Sequence, residues 1–277
     1  MSAPEPMLSP DDVAIWDAWW RAAEVHARTR AHLRRLDSAR RCIAEALATA
    51  ADWCAMWSGG KDSTAMTHLL RQEAGRLPVY SEKDDLDYPG EREYVERLGA
   101  AWDLDLRVLV PPVSPRRWIA EHAAELSAEA DMHSRAAGLS KACFYEVAEA
   151  AGAAHAGAFL GLRAEESRGR AASRATHGRL YRKRPNRWHP AGQRICTPLG
   201  DWRGLDVMAY LASHEIEPLP VYRCVALLAA DEPWRVRKSW WIPGADARWG
   251  GLTWLRRYWP SLHAQLCGWL PDTRRLT

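Results

Sequence analysis

The stretch MWSGGKDSTAM, residues 56–66, joins a short apolar run to a sequence typical of a helix. DWCAMWSG (52–59) favours a buried strand that ends at glycine, and KDSTAMTHLLRQEA (61–74) predicts a helix. Gly59 and Gly60 allow the backbone to bend so that successive N–H groups point inward. The N-terminus of the helix adds further donors and a favourable dipole. The stretch therefore predicts a binding site for pyrophosphate.

The side chains of this turn fit the same ligand. Lys61 supplies a positive charge, and Ser58 and Ser63 supply hydroxyl groups. The spacing differs from the nucleoside-triphosphate loop GxxxxGK[ST], and an aspartate follows the lysine. Because Asp62 would repel a phosphate unless a cation lay between them, the pattern also implies Mg²⁺.

The order of the surrounding segments predicts an α/β fold. Strand-like and helix-like runs alternate, so we expect a Rossmann-like parallel twisted sheet with right-handed crossovers and flanking helices. The predicted strands are 52–59, 77–81, 104–111, 156–163 and a strand that begins at 194; the predicted helices are 61–74, 89–103, about 115–152 and 204–215. Asp201 or a neighbouring residue is expected to cap the last helix.

Basic charge is concentrated in one segment. Residues 168–194 carry nine Lys or Arg and no Asp or Glu, so the rest of the chain carries about −6 (+3 minus 9). This asymmetry favours a polyanionic ligand, either a nucleotide or a nucleic acid. Tyr181, Trp188 and His189 place aromatic rings among these charges, as single-strand binders do. We predict a long, mobile, basic loop over 164–194. The sequence does not decide whether this loop binds a nucleotide or a nucleic acid.

The composition excludes several classes of protein. The 277 residues contain no apolar run of about 18, which argues against a membrane span. The beginning of the chain, MSAPEPMLSPDD, does not have the basic segment followed by an apolar segment that is typical of a secretory signal. We therefore expect a cytoplasmic protein. The cysteines are Cys42, Cys54, Cys143, Cys196, Cys224 and Cys267. They form no CxxC pair, and we expect buried, reduced thiols.

Three motifs together resemble a known family. SGGKDS (58–63) resembles the PP-loop of the ATP pyrophosphatase superfamily. GLRAEESRGR (161–170) is similar to the Gly-x-Arg-x-x-Glu-Ser-x-x-Arg segment of the branch built on the 3′-phosphoadenylylsulfate (PAPS) reductase fold. TPLGDWRGLDVMAYLASHEIEPLPVY (197–222) is similar to that branch's Pro-[Leu/Ile]-x-x-Trp-x-x-x-Asp-Val segment and its Pro-Leu-x-x-Tyr ending. The resemblance implies an adenine nucleotide α-hydrolase-like fold that uses ATP and Mg²⁺ and releases AMP and pyrophosphate.

The chain also departs from the reductases. Their catalytic Glu-Cys-Gly-Leu-His segment is absent, since Cys267 stands in QLCGWLP without the Glu or His. Relatives without this cysteine include phage-encoded proteins and the ATP pyrophosphatase components of DNA phosphorothioation systems. The resemblance therefore implies activation of DNA for sulfur modification, with protein partners that supply the sulfur. Two other functions remain as alternatives: the same chemistry on a small-molecule acceptor, and a binding module without turnover.

The motifs define the predicted site residues. The nucleotide-binding residues are Ser58, Gly59, Gly60, Lys61, Asp62, Ser63, Arg163, Glu166, Arg168 and Arg170. Lys61, Asp62 and Arg163 are the predicted catalytic residues, which act by positioning and charge neutralisation. Glu166 either contacts the ligand or orients Arg163. Asp62 and Asp85 are the predicted Mg²⁺ ligands, although Asp85 could equally belong to a solvated acidic turn.

The same motifs predict three regions. Residues 1–50 form a helical extension of two helices with a break near 36–38. Residues 51–225 form the nucleotide-binding domain, and residues 226–277 form a Trp-rich extension packed on it. The tryptophans of this tail are Trp234, Trp240, Trp241, Trp249, Trp254, Trp259 and Trp269. We expect them to pack in a core or an interface rather than stack on bases.

Overall fold

The computed structural model describes residues 5–49, 52–122, 146–186, 189, 191–227 and 251–269. The strands are β1 (Trp53–Met56), β2 (Pro78–Glu82), β3 (Asp105–Leu109), β4 (Gly157–Leu160), β5 (Leu180–Arg182) and β6 (Arg194–Cys196). The helices are α1 (Pro10–Ala27), α2 (Arg30–Leu47), α3 (Lys61–Glu73), α4 (Glu91–Ala101), α5 (Pro115–Glu121), α6 (Glu146–Gly152), α7 (Arg168–His177), α8 (Gly204–Ser213), α9 (Gly251–Tyr258) and α10 (Pro260–Trp269). Short 3-10 helices span Ala164–Glu166 and Pro220–Arg223.

The six strands form one sheet in the order β3-β2-β1-β4-β6-β5. Every pair is parallel except β5 with β6, which is antiparallel. The predicted parallel α/β sheet is therefore confirmed, and the antiparallel edge strand is an addition to it. Strand β1 pairs with β2 on one side and β4 on the other, so the strand order reverses at β1. In such sheets ligands bind in the crevice beyond the carboxyl ends of the strands at this switch point.

The N-terminal extension has the two predicted helices, but the predicted break near 36–38 is wrong. The break lies between α1 and α2, where the Thr29 side chain accepts a hydrogen bond from the His32 N–H and caps α2. A threonine at the cap position satisfies an N–H that the helix leaves unpaired. Leu36 lies inside α2 and is buried in the core.

The predicted mobile loop over 164–194 is also wrong. This segment contains the 3-10 helix at Ala164–Glu166, helix α7 and strand β5. The Ser167 hydroxyl accepts from the Arg170 N–H and caps α7, and Gly178, with φ of +76°, ends it. Capping and alanine content favour the helix despite its dense positive charge.

The predicted helix over 115–152 is observed at its two ends, as α5 and α6, while 123–145 lie outside the described residues. Of the two predicted possibilities for the cap of α8, Asp201 is wrong, and the neighbouring Arg203 is the N-cap residue. Helix α8 begins after Arg203, whose N–H donates to Asp206 Oδ2 at 2.7 Å. Asp201 instead receives two hydrogen bonds from Arg174, at 2.9 and 2.8 Å.

Three of the seven tail tryptophans lie among the described residues. Trp259 is buried and packs on Tyr88, with ring centroids 4.9 Å apart. Trp254 Nε1 donates to the Cys224 carbonyl at 3.2 Å, and Trp269 packs against the core. The others, Trp234, Trp240, Trp241 and Trp249, lie outside the described residues. The three described tryptophans therefore pack against other residues of the chain and do not form an open surface for base stacking.

Five cysteines are buried free thiols, as predicted, and Cys143 lies outside the described residues. Within the part of the chain that the structure describes, none of the helices has the length and apolar content needed to cross a membrane.

Candidate functional site

The turn between β1 and α3 lies at the carboxyl edge of the sheet. Gly59 has φ of +82°, and a Cβ there would lie 3.0 Å from a Val95 methyl group. Both constraints require glycine at this position. Gly60 is the N-cap residue of α3 and provides no side-chain cap. The helix N-terminus is therefore left for an external anion.

Some N–H groups of this turn have partners and others do not. The Lys61 N–H donates to Tyr222 Oη at 3.0 Å, and the Gly60 N–H donates to Ser58 Oγ at 3.3 Å. Among the described residues, the N–H groups of Asp62 and Ser63 have no hydrogen-bond acceptor. These two first-turn donors have no acceptor inside the helix, so they suit a phosphate oxygen.

The two predicted serine hydroxyls lie together on this turn. Ser58 Oγ and Ser63 Oγ are 3.0 Å apart, and Ser63 Oγ also donates to the Gly60 carbonyl at 3.0 Å. On the other side of the turn, Gly161 at the end of β4 packs directly on α3. A Cβ at Gly161 would lie 2.7 Å from Ser63 Cα. This close approach brings the segment after β4 to the turn of residues 58–63, which is called the phosphate turn below because its N–H donors suit a phosphate oxygen.

The three predicted catalytic residues form one buried ion cluster. Lys61 Nζ lies 2.8 Å from Asp62 Oδ2, and Arg163 Nε lies 2.5 Å from Asp62 Oδ1. The Lys61 and Arg163 side chains are each only 3% exposed. Burial by itself would raise the pKa of Asp62, but the charges of Lys61 and Arg163 outweigh it and lower that pKa. Asp62 is therefore ionised and holds two cations at the strand ends.

Two glutamates hold Arg163 in place. Glu165 Oε2 accepts from Arg163 Nη1 at 2.6 Å and from the Gly204 N–H at 2.6 Å. Glu166 Oε2 accepts from the Arg163 N–H at 2.8 Å and also pairs with Arg170. Glu166 thus contacts the backbone of Arg163, while Glu165 contacts its guanidinium. Sequence reasoning missed Glu165, although two adjacent acids after a strand end were a usable signal.

The predicted arginines of α7 lie farther out. Arg170 pairs with Glu166, so it contacts the cluster through that carboxylate. Arg168 is exposed and pairs with no carboxylate among the described residues. Arg168 and Arg170 therefore stand at the rim, on the first turn of a helix that begins beside Arg163.

The structure does not bring Asp85 into the cluster. Its carboxylate accepts from Ser114 Oγ at 2.5 Å and from the Arg116 N–H at 3.1 Å, at the start of α5. No contact between described residues links Asp85 with Asp62. Hydrogen bonding to the N-terminal turn of a helix explains this position.

A buried lysine that sequence reasoning missed supports the turn from behind. Lys83, directly after β2, donates from Nζ to the Ser58 carbonyl at 3.2 Å and to Glu91 Oε1 at 2.7 Å. Beside it, burial and the nearby Asp84 raise the pKa of Glu82 to about 9. Glu82 is therefore neutral at pH 7, at the strand end next to β1.

The N-terminal extension reaches this site. A narrow apolar crevice beside Lys61 is lined by Trp16 and Trp19 of α1, Met208 of α8 and Tyr222. Lys61 Nζ also lies 5.3 Å from the centre of the Tyr222 ring, within range of a cation–π contact. Helix α1 therefore shields the lysine of the phosphate turn from solvent.

A comparison with family models identifies the family of this chain. The family model of the phosphoadenosine phosphosulfate reductase domain matches residues 53–224, which is more than half of the chain. The chain belongs to this family, a branch of the PP-loop superfamily that the motifs had indicated. A search of curated proteins by sequence finds no match.

Three solved structures show a weak similarity to this chain. PAPS reductase from Candida auris, in a phosphate complex, is 15% identical, with a TM-score of 0.49; the match covers 65% of this chain and 81% of that one. FMN adenylyltransferase from Candida glabrata is 12% identical, with a TM-score of 0.43, covering 73% and 63%. Yeast FAD synthetase is 10% identical, with a TM-score of 0.40, covering 72% and 67%. The chain thus spans less than two thirds of the FMN adenylyltransferase.

Proposed function

We propose that this protein binds ATP and cleaves it between the α and β phosphates, which releases pyrophosphate and transfers AMP to an acceptor. The observation that carries the proposal is the convergence of Lys61, Arg163 and the open N-terminus of α3 at the switch point of the sheet. Positive charges and N–H donors at this place suit a triphosphate.

The reaction follows from positioning and charge neutralisation. A nucleophilic oxygen of the acceptor attacks the α-phosphorus, and the bond from that phosphorus to the bridging oxygen breaks. Pyrophosphate leaves with the electron pair. Lys61 and Arg163 neutralise charge on the phosphate oxygens, and the N–H groups of Asp62 and Ser63 hold them in place. In the absence of nucleotide, Asp62 is the partner of both cations.

The donor set at the turn fits Mg²⁺. Asp62 supplies a carboxylate and Ser58 and Ser63 supply hydroxyl oxygens, which are the oxygen ligands that Mg²⁺ prefers. These residues would hold the ion, and bound Mg²⁺ would offset the charge of the triphosphate. Asp85 is not part of this set, because its carboxylate is engaged at the start of α5.

We further propose nucleic acid as the acceptor, in a sulfur modification of the phosphorothioation type with partner proteins that supply the sulfur. Nine basic residues lie in 168–194, and among the described part of this segment four pair with carboxylates: Arg170, Arg174, Arg179 and Lys183. Arg168, Arg182 and Arg184 are exposed and pair with no carboxylate among the described residues. Arg168 stands at the rim of the site, and its unpaired charge supports a polyanionic acceptor. Arg182 pairs with Arg194 at the amino edge of the sheet, so Arg182 and Arg184 lie away from the turn that follows β1.

Product analysis tests the chemistry. The chain is incubated with ATP and Mg²⁺, with and without single-stranded DNA, and the nucleotides are separated. We expect pyrophosphate together with AMP, which is attached to the DNA when DNA is the acceptor and is free when water takes its place. Both products should be lost in Lys61→Ala and Asp62→Ala but retained in the surface control Arg92→Ala. ADP and phosphate would contradict the proposal. ATP binding with no product under any condition would favour a binding module.

Salt-dependent DNA binding tests the acceptor. We expect Arg168→Glu to weaken single-stranded DNA binding and to reduce its salt dependence, because it removes a phosphate contact. Arg92→Glu on α4 is the matched charge reversal and should leave binding unchanged. Turnover of ATP without DNA affinity would instead favour a small-molecule acceptor.

A further inference from the structure

Two histidines and one aspartate meet where the N-terminal extension packs on α8. His26 lies near the end of α1, His32 in the first turn of α2, and Asp206 in the first turn of α8. One ring nitrogen of each histidine and one carboxylate oxygen all lie within 4.8 Å of one another. The proposed nucleotide chemistry uses none of these three side chains.

The contacts within this cluster leave one ligand atom weakly bonded. Asp206 Oδ1 lies 2.8 Å from His26 Nε2 and 3.4 Å from His32 Nδ1. Asp206 is fully buried and His32 is 1% exposed, and among the described residues His32 Nδ1 makes no hydrogen bond of good geometry. Its one polar neighbour is the Asp206 carboxylate, at the long distance of 3.4 Å, so an ion between the two would satisfy both atoms better.

The carboxylate is already oriented for such a ligand. Asp206 Oδ2 accepts from the Arg203 N–H at 2.7 Å, which leaves Oδ1 directed at the histidines. Two imidazole nitrogens and one carboxylate oxygen form a common ligand set for Zn²⁺ and related divalent ions. Ligand atoms around such a tetrahedral ion are about 3.3 Å apart. The distances of 2.8 and 3.4 Å from Asp206 Oδ1 bracket this value, and the two histidine nitrogens lie within 4.8 Å of each other.

A competing cation is present in the cluster. Arg35 Nη1 lies 3.1 Å from Asp206 Oδ1, and its side chain is 29% exposed. The guanidinium supplies the positive charge that a metal would otherwise supply. Because Arg35 is a long side chain at the surface, it can turn to solvent when an ion binds.

We infer that His26, His32 and Asp206 form a binding site for a divalent transition-metal ion, with Zn²⁺ as the best match and water as the fourth ligand. Both histidines lie outside residues 53–224, the part that matches the family model. The site therefore joins the N-terminal extension to the family domain, which supplies Asp206, and the bound ion holds α1 and α2 on that domain.

Zinc titration of the full, tag-free chain tests the inference. The chain is stripped with a chelator, and Zn²⁺ binding is measured by calorimetry and by metal analysis after gel filtration. We expect one Zn²⁺ per chain and binding at least about tenfold weaker in His26→Gln and in His32→Gln. His177→Gln, a histidine substitution on the exposed α7, is the control and should keep full affinity. Arg35→Gln should bind Zn²⁺ more tightly, because the competing cation is gone.

Cobalt substitution provides a readout that does not depend on the variants. We expect Co²⁺ to give visible absorption bands of a tetrahedral site in the wild-type chain, and Zn²⁺ to remove them. The absence of stoichiometric zinc binding by the wild-type chain would overturn the inference. Equal binding by wild type and both histidine variants would also overturn it. In either case the cluster would be an ion pair of Asp206 with Arg35 and His26.

Discussion

Arg163 Nε lies 2.5 Å from Asp62 Oδ1, although the two residues are 101 positions apart in the chain. Asp62 follows β1 and Arg163 follows β4, and these strands are neighbours in the sheet. The contact therefore exists because the parallel pairing of β1 with β4 places their carboxyl ends side by side. It joins the phosphate turn to the second motif in one buried network.

Removal of the Asp62 charge should destabilise the ligand-free protein. Asp62→Asn leaves Lys61 and Arg163 as neighbouring buried cations, so we expect the free energy of unfolding to fall by about 3 kcal/mol. Pyrophosphate should restore much of the loss, because it supplies the missing negative charge. Urea denaturation with and without pyrophosphate measures both effects.

Asp105→Asn is the matched control for this substitution. Asp105 pairs with Arg107 at the surface, and its loss should change stability by less than about 1 kcal/mol. If Asp62→Asn were as stable as the wild-type chain without ligand, the ion cluster would not contribute to folding.

A methyl group at Gly161 should separate β4 from α3. Its Cβ would lie 2.7 Å from Ser63 Cα and 2.8 Å from Ser63 N, which are backbone atoms that cannot move aside. We expect Gly161→Ala to lower the free energy of unfolding by about 2 kcal/mol and to weaken nucleotide binding. Gly268→Ala in α10 meets no atom within 4 Å. It should be neutral or stabilising by up to about 1 kcal/mol, since alanine favours a helix. Equal effects in both variants would argue against a close contact.

Stability should fall in acid through Asp12. Burial acts to raise the pKa of Asp12, but hydrogen bonds from Ser9, Tyr258 and Ala226 lower it from 3.8 to about 2. Because the folded pKa is depressed, this contribution is present above about pH 4 and is lost as the pH falls towards 2. Asp12→Asn should cost about 2 kcal/mol at pH 7.

The pH dependence of unfolding checks the role of Asp12. In thermal unfolding from pH 6 to pH 2.5, the difference between Asp12→Asn and wild type should shrink as the pH falls. A constant difference over this range would assign the effect to packing rather than to the charge. Asp11→Asn, on the exposed side of the same helical turn, is the matched control.

Stability should also fall at high pH, through Glu82. Burial raises its pKa from 4.5 to about 9, so the folded protein holds a proton that the unfolded chain releases. Its contribution to stability is present below about pH 4.5 and is lost as the pH rises towards 9. Glu82→Gln, which stays neutral, should stabilise the protein at pH 8 by about 1–3 kcal/mol.

Unfolding measured at pH 5 and pH 8 separates this effect from a change in packing. The gain from Glu82→Gln should appear at pH 8 and nearly vanish at pH 5. Glu96→Gln on the exposed face of α4 should show no such difference. A gain of equal size at both pH values would mean that Glu82 is not protonated in the folded state.

Much of the site could be predicted from the sequence, because its parts are local. The turn at Gly59 and Gly60 and the helix that follows depend on residues within a few positions of one another. The basic segment 168–194 was harder, since its charges conceal the Ser167 cap and the alanines that form α7. Charge density predicted a loop there, and local capping favoured a helix.

By itself, the sequence determined the phosphate turn, the alternation of strands and helices, and the family, because backbone conformation and hydrophobic pattern act over short distances. Only the tertiary structure decided which side chains meet. The order of the strands placed Arg163 on Asp62 and kept Asp85 at α5, and the packing of α1 and α2 on α8 brought His26 and His32 to Asp206. Such contacts depend on which elements are neighbours in space. The local sequence around two distant residues does not show that their elements are neighbours.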